Sequence, residues 1–246
     1  MGNVTEVVIE FIADIDMTDK SYTTPVNSTK DKLLWLKSLT VKGNNHYIKA
    51  LNNPLFNMYG TDITISDLTI KDSTITKETG NKLGFGAFFE EAQLCSLAMT
   101  NCHAKNVALK GGNTRAAALV GYMVGEANIK NCSVIESTVE AKGSVGGIIG
   151  HAEDYDEEQK IGQTIEGCTV RNSTFKAVEE GWRVGSIVGT TNGTTTVKTC
   201  TMSGNTLTQE TPKQVSETNP EHEVYGRVCD PGKLVIDNAA AITEAK

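Results

Sequence analysis

A phrase of six residues recurs along this chain at short, nearly even intervals, and recurrence of that kind confines the fold to a repeat architecture. Met99-Thr-Asn-Cys102-His-Ala104 returns as Ile129-Lys-Asn-Cys132-Ser-Val134, as Ile165-Glu-Gly-Cys168-Thr-Val170 and as Val197-Lys-Thr-Cys200-Thr-Met202. The Cys positions 102, 132, 168 and 200 are separated by 30, 36 and 32 residues. An upstream copy, Ile65-Ser-Asp-Leu68-Thr-Ile70, has leucine in the Cys place, so the position calls for a small or medium apolar group.

Alternation decides between strands and helices. Ile129, Cys132, Val134 and Val139 are interleaved with Lys130, Ser133 and Thr138, a period of two rather than 3.6. A second phrase, built on glycine, follows each Cys phrase: Phe85-Gly-Ala-Phe-Phe89, Ala117-Ala-Leu-Val-Gly121, Val145-Gly-Gly-Ile-Ile-Gly150, Val184-Gly-Ser-Ile-Val-Gly189 and Tyr225-Gly-Arg-Val-Cys229. Turn residues stand at fixed offsets. Asp67, Asn101, Asn131, Gly167 and Thr199 precede the Cys rank, and Asp72, Asn106, Glu136, Asn172 and Gly204 follow it four residues on. Most are Asp, Asn or Gly, which accept a left-handed backbone most readily. The expected fold is all-β: a right-handed, single-stranded parallel β-helix, or β-solenoid, with three short strands per rung.

A solenoid is one quasi-one-dimensional unit, so residues 1–246 are expected to form a single domain. Residues 1–38 would cap the first rung, with a short helix near Thr29–Leu36; 39–236 would supply the repeat rungs and 237–246 a tail. About seven rungs at roughly 4.8 Å each predict a cylinder on the order of 35 Å long. Two polar insertions, 151–160 and 208–223, leave opposite ends of a glycine strand.

The net charge of −7 and the absence of a dense Lys/Arg run argue against nucleic acid and anionic membranes as partners. No apolar run is long enough to span a membrane. Cys102, Cys132, Cys168 and Cys200 are expected to form a buried ladder of free thiols, because parallel Cβ vectors do not give disulfide geometry. Serine at such a position is expected to lose a few kcal/mol, about 1–3, for want of a partner. Zinc is disfavoured by the lack of a C-x₂-C pair and by scattered histidines.

The pairing of an I-x-N-C-x-V-x-x-S-x-V strand with a G-x-[IV]-[IV]-G strand resembles the GLUG-type repeats of secreted and surface β-helix proteins, many of them from gut Bacteroidetes. Phe11-Ile-Ala-Asp-Ile-Asp-Met17 and Leu39-Thr-Val-Lys-Gly-Asn-Asn-His-Tyr-Ile-Lys-Ala-Leu51 are similar to the opening segments of such proteins, and the resemblance spans residues 8 to 236. It departs at Pro54-Leu-Phe-Asn57 and where glycine is lost at Phe89 and Asp230. The resemblance implies an extracellular or cell-surface location. Met1-Gly-Asn-Val-Thr has no signal-peptide pattern, so an export signal or anchor is expected to lie outside this sequence.

Parallel β-helices include polysaccharide lyases and glycoside hydrolases, whose chemistry needs facing carboxylates or a base beside calcium ligands. The outward ranks Thr69, His103, Ser133, Thr169, Thr201 and Thr74, Ala108, Thr138, Thr174, Thr206 contain no carboxylate. Their threonines raise ice binding as a minor alternative. The acidic loop offers Glu153, Asp154 and Asp156 as weak calcium candidates, and no other cofactor is implied. The turn before each glycine strand is the best ligand surface: Arg115, Glu179, Glu180, Trp182, Arg183 and Tyr225 would meet there. Trp182 would serve either as a sugar-stacking platform or as packing over the rung's corner. The favoured reading is a non-enzymatic module for adhesion or glycan binding, whose partner is a polysaccharide or a host or surface glycoprotein. The alternative is a carbohydrate-active enzyme with a loop-borne site.

Overall fold

The computed structural model describes residues 5–24, 26–27, 36–77, 84–112, 115–154, 162–178, 183–209, 225–228 and 233–237. Among them there are strands and turns and no helix, hence no helix able to cross a membrane. Of the segment expected to be a cap helix, Thr29–Leu36, only Leu36 is among the described residues, and it is not helical; the tail from 238 lies outside them.

The strands stack in parallel, each pairing with its equivalent one turn away. Ile9, Val41, Ile65, Met99, Ile129, Ile165 and Val197 stand in register on one face. Ile48, Ile70, Ala104, Val134, Val170 and Met202 do so on a second, and Ile75, Leu109, Val139, Phe175 and Leu207 on a third. These inward ranks are the core, and nearly all are fully buried. The molecule is a parallel β-solenoid. Five consecutive turns, led by Ile65, Met99, Ile129, Ile165 and Val197, carry every face. The earlier turns lack a strand on the third face, so about seven regular rungs become five complete turns with partial ones at the ends.

The corners follow the turn residues. Positive φ occurs at Asp67, Asn101, Asn131, Gly167 and Thr199, and again at Asp72, Asn106, Glu136, Asn172 and Gly204, with values from 46° to 63°. One left-handed residue bends the chain while the strand on either side keeps pairing. That is why strands as long as Asp62–Lys77 run across two corners. Carboxamides also bridge the turns: Asn101 donates to Asp67 at 3.0 Å and Asn106 to Asp72 at 2.8 Å. Where the rank changes to glycine at Gly167, a Cβ would stand 2.6 Å from the Asn131 side-chain oxygen.

Just inside these corners run two ladders of the same design. Cys102, Cys132, Cys168 and Cys200 are buried and unbridged. Each thiol donates to the carbonyl two residues back, as Cys132 does to Lys130 at 3.3 Å, and the Cys102 amide donates to the Cys132 sulfur at 3.4 Å. At the next corner Ser73, Ser137 and Ser173 repeat the arrangement. Ser137 Oγ donates to Ile135 at 2.9 Å and accepts the Val107 amide at 3.2 Å, while Ser173 accepts the Ser137 amide at 3.1 Å. Contact with the neighbouring thiol, then burial, pushes Cys168 up to about 12 and raises Cys132 and Cys200 too. These three thiols are therefore neutral, poorly reactive groups.

The serine ladder corrects the expectation that Ser would lack a partner in the Cys rank, since the same geometry already accommodates a hydroxyl one corner on. Cys132→Ser is expected to change stability by less than about 1 kcal/mol, whereas Ser137→Ala, which strips the partner from the buried Val107 amide, should lose about 1–3 kcal/mol. Urea denaturation of the two variants checks the ordering; a larger loss for Cys132→Ser would show that thiol size, not hydrogen bonding, governs the rank.

Candidate functional site

The glycine phrases make a pinched edge of the solenoid. A Cβ on Gly121 would lie 2.0 Å from the Phe85 nitrogen, one on Gly150 2.6 Å from the Ala116 oxygen, and one on Gly189 2.7 Å from the Val145 nitrogen. Backbone therefore lies directly on backbone there, which only glycine permits. The register aligns Phe89, Val120, Ile149, Val188 and Tyr225. Two consequences differ from the sequence alignment. Glu90, not Phe89, occupies the rank of Gly121. Tyr225 stands in the rank of Val188, so it belongs to the far end of the phrase rather than to the turn before it. A lone Gly226 does not reveal which of the two glycines it represents.

Two residues past Phe89, Val120, Ile149 and Val188, the strands carry a rank that is buried yet polar: Glu91, Tyr122, His151 and Thr190, between 2% and 6% exposed, followed by Arg227. The strand before the pinch supplies Arg115 and Ser144 in register, with Arg183 next, its carbonyl accepting the Val145 amide. Here the two strands face each other. Ser144 Oγ and Thr190 Oγ1 are 2.7 Å apart, and the Arg115 guanidinium lies 4.1 Å from the centre of the Tyr122 ring.

Three side chains close on one carboxylate. Tyr122 donates to Glu153 Oε2 at 2.6 Å, His151 Nε2 is 2.9 Å from Oε1, and Arg115 Nη2 is 3.4 Å from the same oxygen. The His151 ring meets Tyr122 edge-on, 5.7 Å between centroids. The side chains of Arg115 and Glu153 are 15% and 22% exposed, so the cluster reaches the surface through these two. Arg115 Nε and Nη1 are buried without a hydrogen-bond partner among the described residues. Burial alone would raise the Glu153 carboxyl; the bonds from His151 and Tyr122 and the charges of His151 and Arg115 outweigh it and hold the group at about 2. Burial, then the bond to Glu153, pushes Tyr122 up. The carboxylate is thus held ionised and the phenol protonated.

Of the residues expected to form a ligand surface, Arg115 joins this cluster and Arg183 lies in its rank, half-buried and engaged. Glu179, Glu180 and Trp182 lie outside the described residues, as does Asp156. The calcium candidates diverge: Glu153 turns into the cluster, whereas Asp154 accepts the Thr194 amide with both oxygens, at 3.1 and 2.9 Å. No metal-holding group of His, Cys, Asp or Glu occurs among the described residues. Tyr122 and His151 escaped the sequence reading, although a signal existed. Each directly follows the closing glycine of its phrase, where Thr190 also stands, a polar rank beside apolar ones.

No family profile and no curated protein matches the sequence. A solved structure does share the fold: a Bacteroides ovatus protein described as a "putative immunoglobulin A1 protease" superposes with a TM-score of 0.64. Identity is 16%, and the match covers 96% of this chain and 72% of the other. At that identity the likeness concerns the β-solenoid alone.

Because Glu153 is held at about 2, below its ordinary 4.5, its ionised form contributes stability that is complete above 4.5 and is lost as the pH falls through 2. The urea midpoint of the wild type should therefore drop between about pH 5 and 2.5 more steeply than that of Glu153→Gln. Parallel curves would mean that the cluster does not couple to protonation of this carboxyl.

Proposed function

We propose that the protein is a non-catalytic, extracellular or cell-surface solenoid module for adhesion or glycan binding, with Arg115, Tyr122, His151 and Glu153 as the centre of one binding surface. The observation that carries the reading is Arg115: its partly exposed guanidinium, fixed over an aromatic ring and beside an ionised carboxylate, is a planar polar group of the kind that pairs with hydroxyl or carboxylate oxygens of a ligand. The surface is rigid, because each member sits on a strand locked between neighbouring turns. The insertions after Asp154 and around Trp182 flank it in sequence and offer contact area to a bulky partner such as a polysaccharide or glycoprotein.

The protonation pattern favours binding over acid–base catalysis. General acid or base work near neutral pH wants groups poised to exchange protons there. Glu153 is instead held ionised and Tyr122 protonated, each shift reinforcing the other. The second reading, a carbohydrate-active enzyme with a loop-borne site, rests on the close His151–Glu153 pair, which is the pairing such chemistry uses to orient an imidazole.

A glycan and glycoprotein screen, read on the same samples for binding and for new reducing ends or unsaturated products, tests the proposal. Binding without turnover is expected. Arg115→Lys, which keeps the charge but loses the planar donors, should weaken that binding roughly tenfold, about 1.4 kcal/mol, with little change in melting temperature. Turnover would overturn the non-catalytic reading, and unchanged affinity in Arg115→Lys would remove the cluster from the binding surface.

A further inference from the structure

The second face carries a file of cations that the sequence scatters. In register across successive turns stand Lys49, Lys71, Lys105, Ile135 and Arg171, with Asp16 at one end and Ser203 at the other. Lys105 and Arg171 are exposed, and Lys49 and Lys71 half-buried. Beside this file, two residues back on each strand, run Tyr47, Thr69, His103, Ser133, Thr169 and Thr201, a row of hydroxyl, imidazole and phenol groups.

Like charges directly opposite on paired strands are destabilising, and strands about 4.8 Å apart give no room to avoid one another. Elsewhere the molecule resolves the conflict by interleaving acids. On the third face Glu140 lies between Lys110 and Lys176, 3.5 and 3.7 Å from them, and on the first Lys130 meets Glu166 at 3.2 Å. The second face has no such interleaving. Lys49 reaches Asp16 at the end of the file and Lys71 lies 3.3 Å from the centre of the Tyr47 ring, while Lys105 and Arg171 make no ion pair among the described residues. The nearby acids, Asp72 and Glu136, sit on the corner rather than between the cations, and Asp72 is bonded to Asn106.

We infer that this file binds a linear anionic glycan, sulfated or carboxylated, laid along the solenoid axis. The cations would meet charges at multiples of the rung spacing, and the adjoining hydroxyl row would take sugar hydroxyls. The uncompensated file makes sense as half of a binding site: the ligand supplies the acids that the other faces contain. Nucleic acid fits less well, since of the two rings along this strip Tyr47 already lies under Lys71 and His103 is bonded to Ser133, and the chain carries a net charge of −7. The surface is separate from the Arg115 cluster and extends the glycan-binding reading to a specific ligand class.

The test is affinity for heparin, polygalacturonate, neutral dextran and polyuridylate at physiological salt, with Lys71→Gln/Lys105→Gln compared against Lys110→Gln/Lys176→Gln. The wild type is expected to bind heparin or polygalacturonate, more weakly as salt rises. The first double variant should lose roughly 5- to 20-fold with an unchanged or raised melting temperature, and the second should bind as wild type. Equal losses in both variants, no binding to either anionic glycan, or equal affinity for polyuridylate would each overturn the inference. Binding of a neutral or branched glycan that depends on Arg115 alone would overturn it while leaving the proposed function standing.

Discussion

Parallel, in-register stacking is the constraint on which everything else in this molecule depends. Every residue has its own equivalent as its nearest neighbour across the strand gap, about 4.8 Å away. A side chain is therefore acceptable only if it tolerates a copy of its kind above and below. Aliphatic groups satisfy that condition by packing, and they fill the inward ranks. Small hydrogen-bonding groups satisfy it in another way, by accepting from one turn and donating within their own. Cysteine and serine do this at successive corners with the same bonds, which makes them chemical variants of one structural solution.

Charges satisfy the condition only in alternation. The solenoid obeys this with Lys130 and Glu166, and with Lys110, Glu140 and Lys176. Where it breaks the rule, a reason outside simple stability is called for. The cluster around Glu153 gathers an arginine, a histidine and a tyrosine on one half-buried carboxylate and leaves two guanidinium nitrogens without a partner among the described residues. The cation file on the second face stacks lysine on lysine. Both are places where local consistency is given up, and such places are where function is to be sought.

The pinched glycine edge explains why the Glu153 cluster exists at all. Backbone contact at Gly121, Gly150 and Gly189 brings the strand of Arg115 and Ser144 against the strands of Tyr122, His151 and Thr190. Side chains from two strands can then share one small volume, which the rounder corners at Asn101 or Asn106 do not allow. A substitution such as Gly150→Ala would separate these strands and dismantle the cluster along with the fold.

The sequence by itself determined the solenoid, its inward ranks and its corners. A period of two and a recurrence near 32 residues leave little choice of architecture, and Asp, Asn and Gly at fixed offsets mark where the backbone must turn left-handed. Even the outward ranks at Thr69 and Thr74 could be read residue by residue, because a register once set holds for every residue of a rung. The tertiary structure alone decided which charges meet. Lys49, Lys71, Lys105 and Arg171 lie 22, 34 and 66 residues apart in a chain with a net negative charge, so no local run betrays them. Arg115 and Glu153 looked like members of different sites, a sugar-binding turn and an acidic loop. They become partners only because the glycine pinch folds one strand onto the next, and that contact depends on a close approach of backbones that a one-dimensional pattern does not encode.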